Sequence, residues 1–265
     1  MKYILSCAIA SLLFSCDSGK EGRLIWSDEF EGTGSPDTTK WGYDVGDGCP
    51  ASCGFGNNEL QYYTRDPKNV RMEGGHLIIE ARRDSVGTRG FTSTKIISKH
   101  KGDWRYGRFE IKARLPRGKG TWPAIWMLPT DWKYGGWPSS GEIDIMEHVG
   151  YDPGMIHGTI HTEAYNHVKH TQKGGTILIP DAQESFHVYS VEWQPDKMDF
   201  YVDDDKYFSV ARDPTEDYKG WPFDQRFYLI MNIAVGGNWG GAQGVDPAIW
   251  PQRMEIDYVR VYQPE

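Results

Sequence analysis

The sequence predicts a single all-β sandwich, and three observations carry that prediction. Short runs of alternating apolar and polar residues recur along the chain, separated by turn formers that include 31 Gly and 15 Pro. No stretch keeps a 3.6-residue apolar period over three turns, so no long helix is expected. No repeat and no low-complexity linker divides the 265 residues, a length that one sandwich or jelly roll can use whole.

The chain begins Met1-Lys2, followed by an apolar segment from Tyr3 to Phe14. That segment is shorter than the roughly 20 residues a spanning helix needs and reads as a secretory signal over residues 1–15. Leu13-Phe14-Ser15-Cys16 is similar to a bacterial lipobox. On that reading Cys16 is the lipidated first residue of the mature chain and residues 16–23 form a short polar tether. Ordinary cleavage, with Cys16 a free thiol, is the alternative. Both place the protein outside the cytoplasm, the first as a cell-envelope lipoprotein of a bacterium and the second as a secreted protein. Cys49 and Cys53 then remain, and a Cys-x3-Cys loop in an oxidising compartment favours a disulfide. A metal site there would want two more ligands close in sequence, and none is present.

The folded domain is expected over residues 24–265. Leu24 to Phe30 opens it as a strand, and Trp41 to Gly56 is a Gly-rich loop closed by Cys49 and Cys53. Asn57-Asn58-Glu59-Leu60-Gln61-Tyr62-Tyr63-Thr64 reads as a polar loop. Strand-like runs follow at His76 to Arg83, Tyr106 to Leu115 and Thr121 to Leu128. Trp122 and Trp126 are an even number of positions apart and share one face, where they either line a cleft or fill the core. In Met155 to Glu163, His157 and His161 have a spacing that could hold zinc on a helix. Gly158, Thr159 and Ile160 argue for a strand instead, and no nearby acid completes a zinc motif. Phe186 to Trp193, Met198 to Val202 and Phe227 to Val235 are further strands, with Asp203-Asp204-Asp205 a hairpin tip and Gly236 to Gly241 a loop around Trp239. Met254 to Tyr262 closes the sheet, Ile256 and Tyr258 alternating with an outward Asp257.

The informative stretch is Ser140 to Gly150, in which Glu142, Asp144 and Glu147 are interleaved with Ile143, Ile145 and Met146. Helical spacing fits these apolar positions poorly, and β-branched residues between glycines favour a strand. Alternation puts Glu142 and Asp144 on one face and would turn Glu147 to the other. A one-residue bulge near Met146 restores Glu147 to the acidic face, giving three carboxylates on one wall. Crowded carboxyls hold protons to higher pH, and two about 5–5.5 Å apart are what a retaining glycosidase uses. Glycoside hydrolysis is the chemistry this pattern suggests, against the alternative of a solvated acidic helix face.

Composition agrees in outline. Aromatics make up 14% of the chain, with 11 Trp and 15 Tyr, enough ring surface to stack on sugars as well as to fill a core. A net charge of −8, without a Lys/Arg run, argues against a nucleic-acid partner and suits a neutral polysaccharide better than a sulfated one.

Residues 140–150 resemble the active-site signature of glycoside hydrolase family 16, in the bulged form of its laminarinases, with Met146 the extra residue before the last Glu. The resemblance covers nearly all of residues 24–265. It implies a β-jelly-roll sandwich of two antiparallel sheets with a concave substrate cleft. It also implies a retaining endo-hydrolase of β-1,3-glucan, with Glu142 as nucleophile, Glu147 as general acid/base and Asp144 tuning the pair. The same resemblance places Asn57, Arg108, Trp122, Trp126, Trp137, His161 and Trp239 at the substrate, Trp137 as a stacking platform. It implies no cofactor for catalysis but a structural calcium on Glu29, the Gly75 carbonyl and Asp257. A monomer is expected, reaching a membrane only through its N-terminal lipid. Within the fold, mixed-linkage β-1,3-1,4-glucan, agar and carrageenan are rival substrates. From another class, the rival is a non-catalytic glucan-binding surface protein, which would be expected to lose a carboxylate; this chain keeps three.

Overall fold

The computed structural model describes residues 22–264. The expected signal, the Cys16 lipid site and most of the tether lie outside the described residues. Two eight-stranded antiparallel sheets face each other. One runs Lys173–Leu178, Met155–His161, Glu142–Glu147, Thr121–Pro129, Phe227–Val235, Lys95–Ile97 and Gly42–Tyr43, with Asp103–Trp104 beside Phe227–Val235. The other runs Asp205–Ala211, Lys197–Val202, His187–Trp193, Gly107–Arg114, Gln252–Gln263, His76–Ala81 and Val70–Glu73, with Arg23–Asp28 along Gln252–Gln263. The chain crosses repeatedly from one sheet to the other, as in a jelly roll.

Alternation decides which side chains fill the space between the sheets. Ile125 and Met127 from one strand, Leu229, Met231 and Ile233 from the next, and Phe109, Ile111 and Val191 from the opposite sheet are fully buried in one core cluster. Burying each such side chain contributes on the order of 1.5–3 kcal/mol, so a register slip that turned them outward would cost more than any local propensity could offset. The intervening residues Trp122, Ala124, Trp126 and Asn232 are left on the outer face of the first sheet, and a cleft lies there.

The acidic strand Glu142–Glu147 lies between Thr121–Pro129 and Met155–His161. Its register is Glu142 with His161 and Asp144 with Thr159, then Glu147 with His157. Two residues, Ile145 and Met146, therefore face one, Gly158, and both are buried in the core. This is the expected bulge. Glycines at both ends are required. Gly141 has φ +88°, and a Cβ on it would meet Phe223 and Pro222 at 2.9 Å; a Cβ on Gly150 would fall 1.9 Å from the Gly118 carbonyl oxygen.

A second bulge corrects the expected alternation of the last strand. The register shifts between Ile256 and Tyr258, so Val259 and Val261 reach the core, while Tyr258 lies under Arg260, whose Cζ is 3.8 Å from its ring. Short strands also form where no alternation is visible. Gln61–Tyr63, expected as loop, pairs in parallel with Phe91–Ser93, and the small residues of Lys173–Leu178 form an edge strand.

Candidate active site

Glu142, Asp144 and Glu147 all project into the cleft. Asp144 is buried between the two half-buried glutamates. Each glutamate has its own indole donor. Trp137 Nε1 donates to Glu142 Oε2 at 2.7 Å, and Trp122 Nε1 donates to Glu147 Oε1 at 3.0 Å. Trp137 sits on the loop before the strand, where Ser140 Oγ accepts from the Tyr134 amide and donates to the Gly135 carbonyl. Its ring remains 36% exposed, with the His167 ring 5.0 Å away.

Burial raises all three acids. Burial, reinforced by the neighbouring Asp144, pushes Glu142 up to about 8. Burial pushes Glu147 up to about 7, against the opposing pull of His161 and of the Trp122 N–H. Asp144 is raised well above the usual carboxylate range by burial and by Glu147. The protons belong to the group rather than to single residues. The cluster retains protons near neutrality, as a site with a carboxylic general acid requires. The Trp137 N–H stabilises the Glu142 anion, the form in which Glu142 can attack.

Two cavities of about 420 and 610 Å³ meet at the glutamates and form one continuous cleft. Trp126 and Asn232 floor the first, Trp126 Nε1 donating to Asn232 Oδ1 at 2.7 Å. Asn232 donates in turn to Tyr63 Oη, and Tyr63 to Glu59. Trp239 bounds the second, its ring edge-on to Trp122 at 5.5 Å and to His157 at 4.9 Å. The Trp239 loop is tied to the Asn57 loop by Asn238 N donating to the Asn57 carbonyl at 2.7 Å. Rings that present flat apolar faces, next to amides that donate and accept, are suited to sugars.

Six of the seven expected substrate residues, Asn57, Trp122, Trp126, Trp137, His161 and Trp239, therefore lie on this cleft. Arg108 does not. It stands on Gly107–Arg114 in the opposite sheet, where Phe109 and Ile111 point inward and Arg108 consequently points out of the sandwich. There it donates to Glu110 at 2.8 Å and Glu192 at 2.6 Å, with Tyr201 beside it. Its place is a charge network on the far face.

The three residues expected for calcium also lie at the far sheet. Arg260 donates to both oxygens of Glu29, and Asp257 pairs with Lys112 at 2.8 Å and lies 3.9 Å from His76. Cys49 and Cys53 are joined as a disulfide.

The cleft residues that sequence reasoning did not single out include Glu59, Lys95, His167 and Asn232. Glu59 is 6% exposed and held above the usual range by burial, with Gln61 Nε2 donating to it at 2.6 Å. An acid inside a run of amides was its only signal. Lys95 lies over the Trp126 ring at 5.3 Å and pairs with Asp44 at 2.8 Å; a three-residue strand offers no pattern by which to find it.

Comparison with known proteins agrees with this geometry. A family profile described as "Glycosyl hydrolases family 16" matches residues 57–260. A β-glucanase of Rhodothermus marinus is 52% identical over 271 residues, covering 98% of this chain and 93% of its own. The X-ray structure of the laminarinase from Rhodothermus marinus superposes with a TM-score of 0.88 at 55% identity, covering 91% of this chain and 97% of that one. A variant of SCLam, a non-specific endo-β-1,3(4)-glucanase co-crystallised with 1,3-β-D-cellotriosyl-glucose, also gives a TM-score of 0.88, at 47% identity over 92% of this chain and 96% of that one. With the three carboxylates on one wall of an open cleft, this chain belongs to glycoside hydrolase family 16.

Proposed function

We propose that the protein is an endo-hydrolase of β-1,3-glucan that acts with retention of configuration. The observation that carries this reading is the bulge that returns Glu147 to the wall holding Glu142 and Asp144, so that an attacking carboxylate and a proton donor face one cleft. Glu142 attacks the anomeric carbon while Glu147 gives its proton to the glycosidic oxygen, which leaves with the bond's electron pair. Glu147 then takes a proton from water, the water oxygen attacks the anomeric carbon, and Glu142 departs as the carboxylate. Among the described residues lining the cleft, Lys95 is the one Lys or Arg, and Asp44 already neutralises it. That supports an uncharged glucan over a sulfated galactan.

The test is product analysis of residues 22–265 on laminarin, mixed-linkage glucan, agarose and carrageenan, with the anomer of the first product read by NMR. A ladder of short β-1,3 oligomers released as the β-anomer supports the reading. Products only from another polymer would overturn the substrate, and no product from any would favour a glucan-binding role.

The N-terminal reading is a proposal of the same kind. An apolar run ending in Leu13-Phe14-Ser15-Cys16 supports export and lipidation at Cys16, and a disulfide suits the oxidising side of a membrane. Among the described residues no helix is long and apolar enough to cross a membrane. Palmitate labelling that disappears in Cys16→Ser tests the anchor, and light scattering tests the expected monomer. The proposed calcium fits its residues poorly as they stand. Oxygen donors suit calcium, but Glu29 and Asp257 are already matched by Arg260 and Lys112. An ion there requires those cations to swing away. A thermal shift on adding calcium after chelation would support it.

A further inference from the structure

We infer that the catalytic wall is also a zinc site, formed by Glu142, Asp144 and His161, at which the ion inhibits the enzyme. Ligand atoms of these three residues lie within 4.8 Å of one another. Two of them already stand at ligand spacing. His161 Nε2 is 3.3 Å from Asp144 Oδ2, and two ligand atoms with zinc bonds of 2.0–2.1 Å in a tetrahedron stand roughly 3.3–3.4 Å apart.

The short approach is not a hydrogen bond. Asp144 is 2% exposed, and its Oδ2 has no hydrogen-bond partner among the described residues. An unpartnered buried carboxylate oxygen is costly and is aimed at the ring nitrogen across the place a cation would occupy. His161 Nδ1 has no hydrogen-bond partner among the described residues, so it is free to carry the ring proton when an ion takes the lone pair of Nε2. Trp137 holds only Oε2 of Glu142, leaving that carboxylate able to complete a set of one nitrogen and two carboxylates. The fourth position faces the cleft, where water would fill it. This donor set selects zinc over magnesium, which takes octahedral oxygen ligands.

An ion so held occupies the nucleophile, and glucan cannot be attacked while it is bound. The inhibition rests on the glucan reading, whereas binding is measured without substrate, so failure of one is told from failure of the other. Zinc chloride is titrated calorimetrically into the full domain in a non-chelating buffer. One equivalent is expected to bind, and His161→Gln and Asp144→Asn should each weaken it by at least about tenfold; melting curves establish that both variants are folded. X-ray absorption of the zinc-loaded wild type should show a nitrogen/oxygen shell at about 2.0 Å that includes one imidazole. Zinc should suppress laminarin hydrolysis over the same concentrations at which it binds, reversibly with EDTA. Absence of binding overturns the proposal. Binding left unchanged in both variants does so too, because it would place the zinc elsewhere.

Discussion

Trp122 Nε1 and Glu147 Oε1 are 3.0 Å apart although 25 positions separate the residues. Ala124 is the direct cross-strand partner of Glu147, so Trp122 meets the acid as its diagonal neighbour. Its ring also leans on Trp239, which joins one wall of the sugar cleft to the protonation of the general acid.

Trp122→Phe should therefore alter the pH profile as well as affinity. The N–H favours the Glu147 anion, so without it the Glu147 pKa rises and the alkaline limb of kcat/KM moves to higher pH. A limb that stays in place would show that the indole serves only as a sugar platform.

Glu142→Gln should abolish turnover while oligosaccharide affinity changes by only a few fold, as calorimetry can measure. The same variant should be more stable than wild type at high pH. Glu142 titrates at about 8 in the fold against 4.5 when unperturbed, so the folded state binds more protons in that window and stability falls as pH rises through it. Replacing the acid removes that loss. Tm should increase by a few degrees at pH 8 and by much less at pH 4. No rise at pH 8 would argue that the carboxyl is not desolvated.

Deleting Met146 should erase the bulge and leave Glu147 two positions after Asp144, so that plain alternation still holds all three carboxylates on one wall. What the deletion removes is a fully buried core side chain, so Tm should drop by the cost of a core cavity while activity persists. Met146→Leu, which conserves volume, should cost less than about 1.5 kcal/mol and keep activity. A deletion variant that folds but is inactive would show that alternation alone does not return Glu147 to the wall.

Arg108→Ala should leave KM for laminarin unchanged and lower stability. Glu110 is fully buried beside it, and removing one partner of a buried pair costs on the order of 3 kcal/mol. Urea unfolding and steady-state kinetics on one preparation separate the two effects; a raised KM with unaltered stability would return Arg108 to the substrate.

Much of the fold and most of the site were legible because they are local. Trp122 and Trp126 share a face by period 2, and Cys49 and Cys53 are close enough in sequence to meet. Arg108 was misplaced because alternation says that a residue faces away from the core without saying which sheet carries it. The same gap hid Lys95, whose strand is too short to show a pattern.

By itself, then, the sequence determined the β architecture, the acidic strand between Gly141 and Gly150, and the need for a bulge at Met146, since these follow from neighbouring residues on one backbone. Only the tertiary structure decided which face became the cleft, which charges found partners, how far burial raises the three acids, and that His161 stands 3.3 Å from Asp144. Those are properties of contacts between distant segments, and no spacing along the chain encodes the dielectric or the partner that such a contact creates.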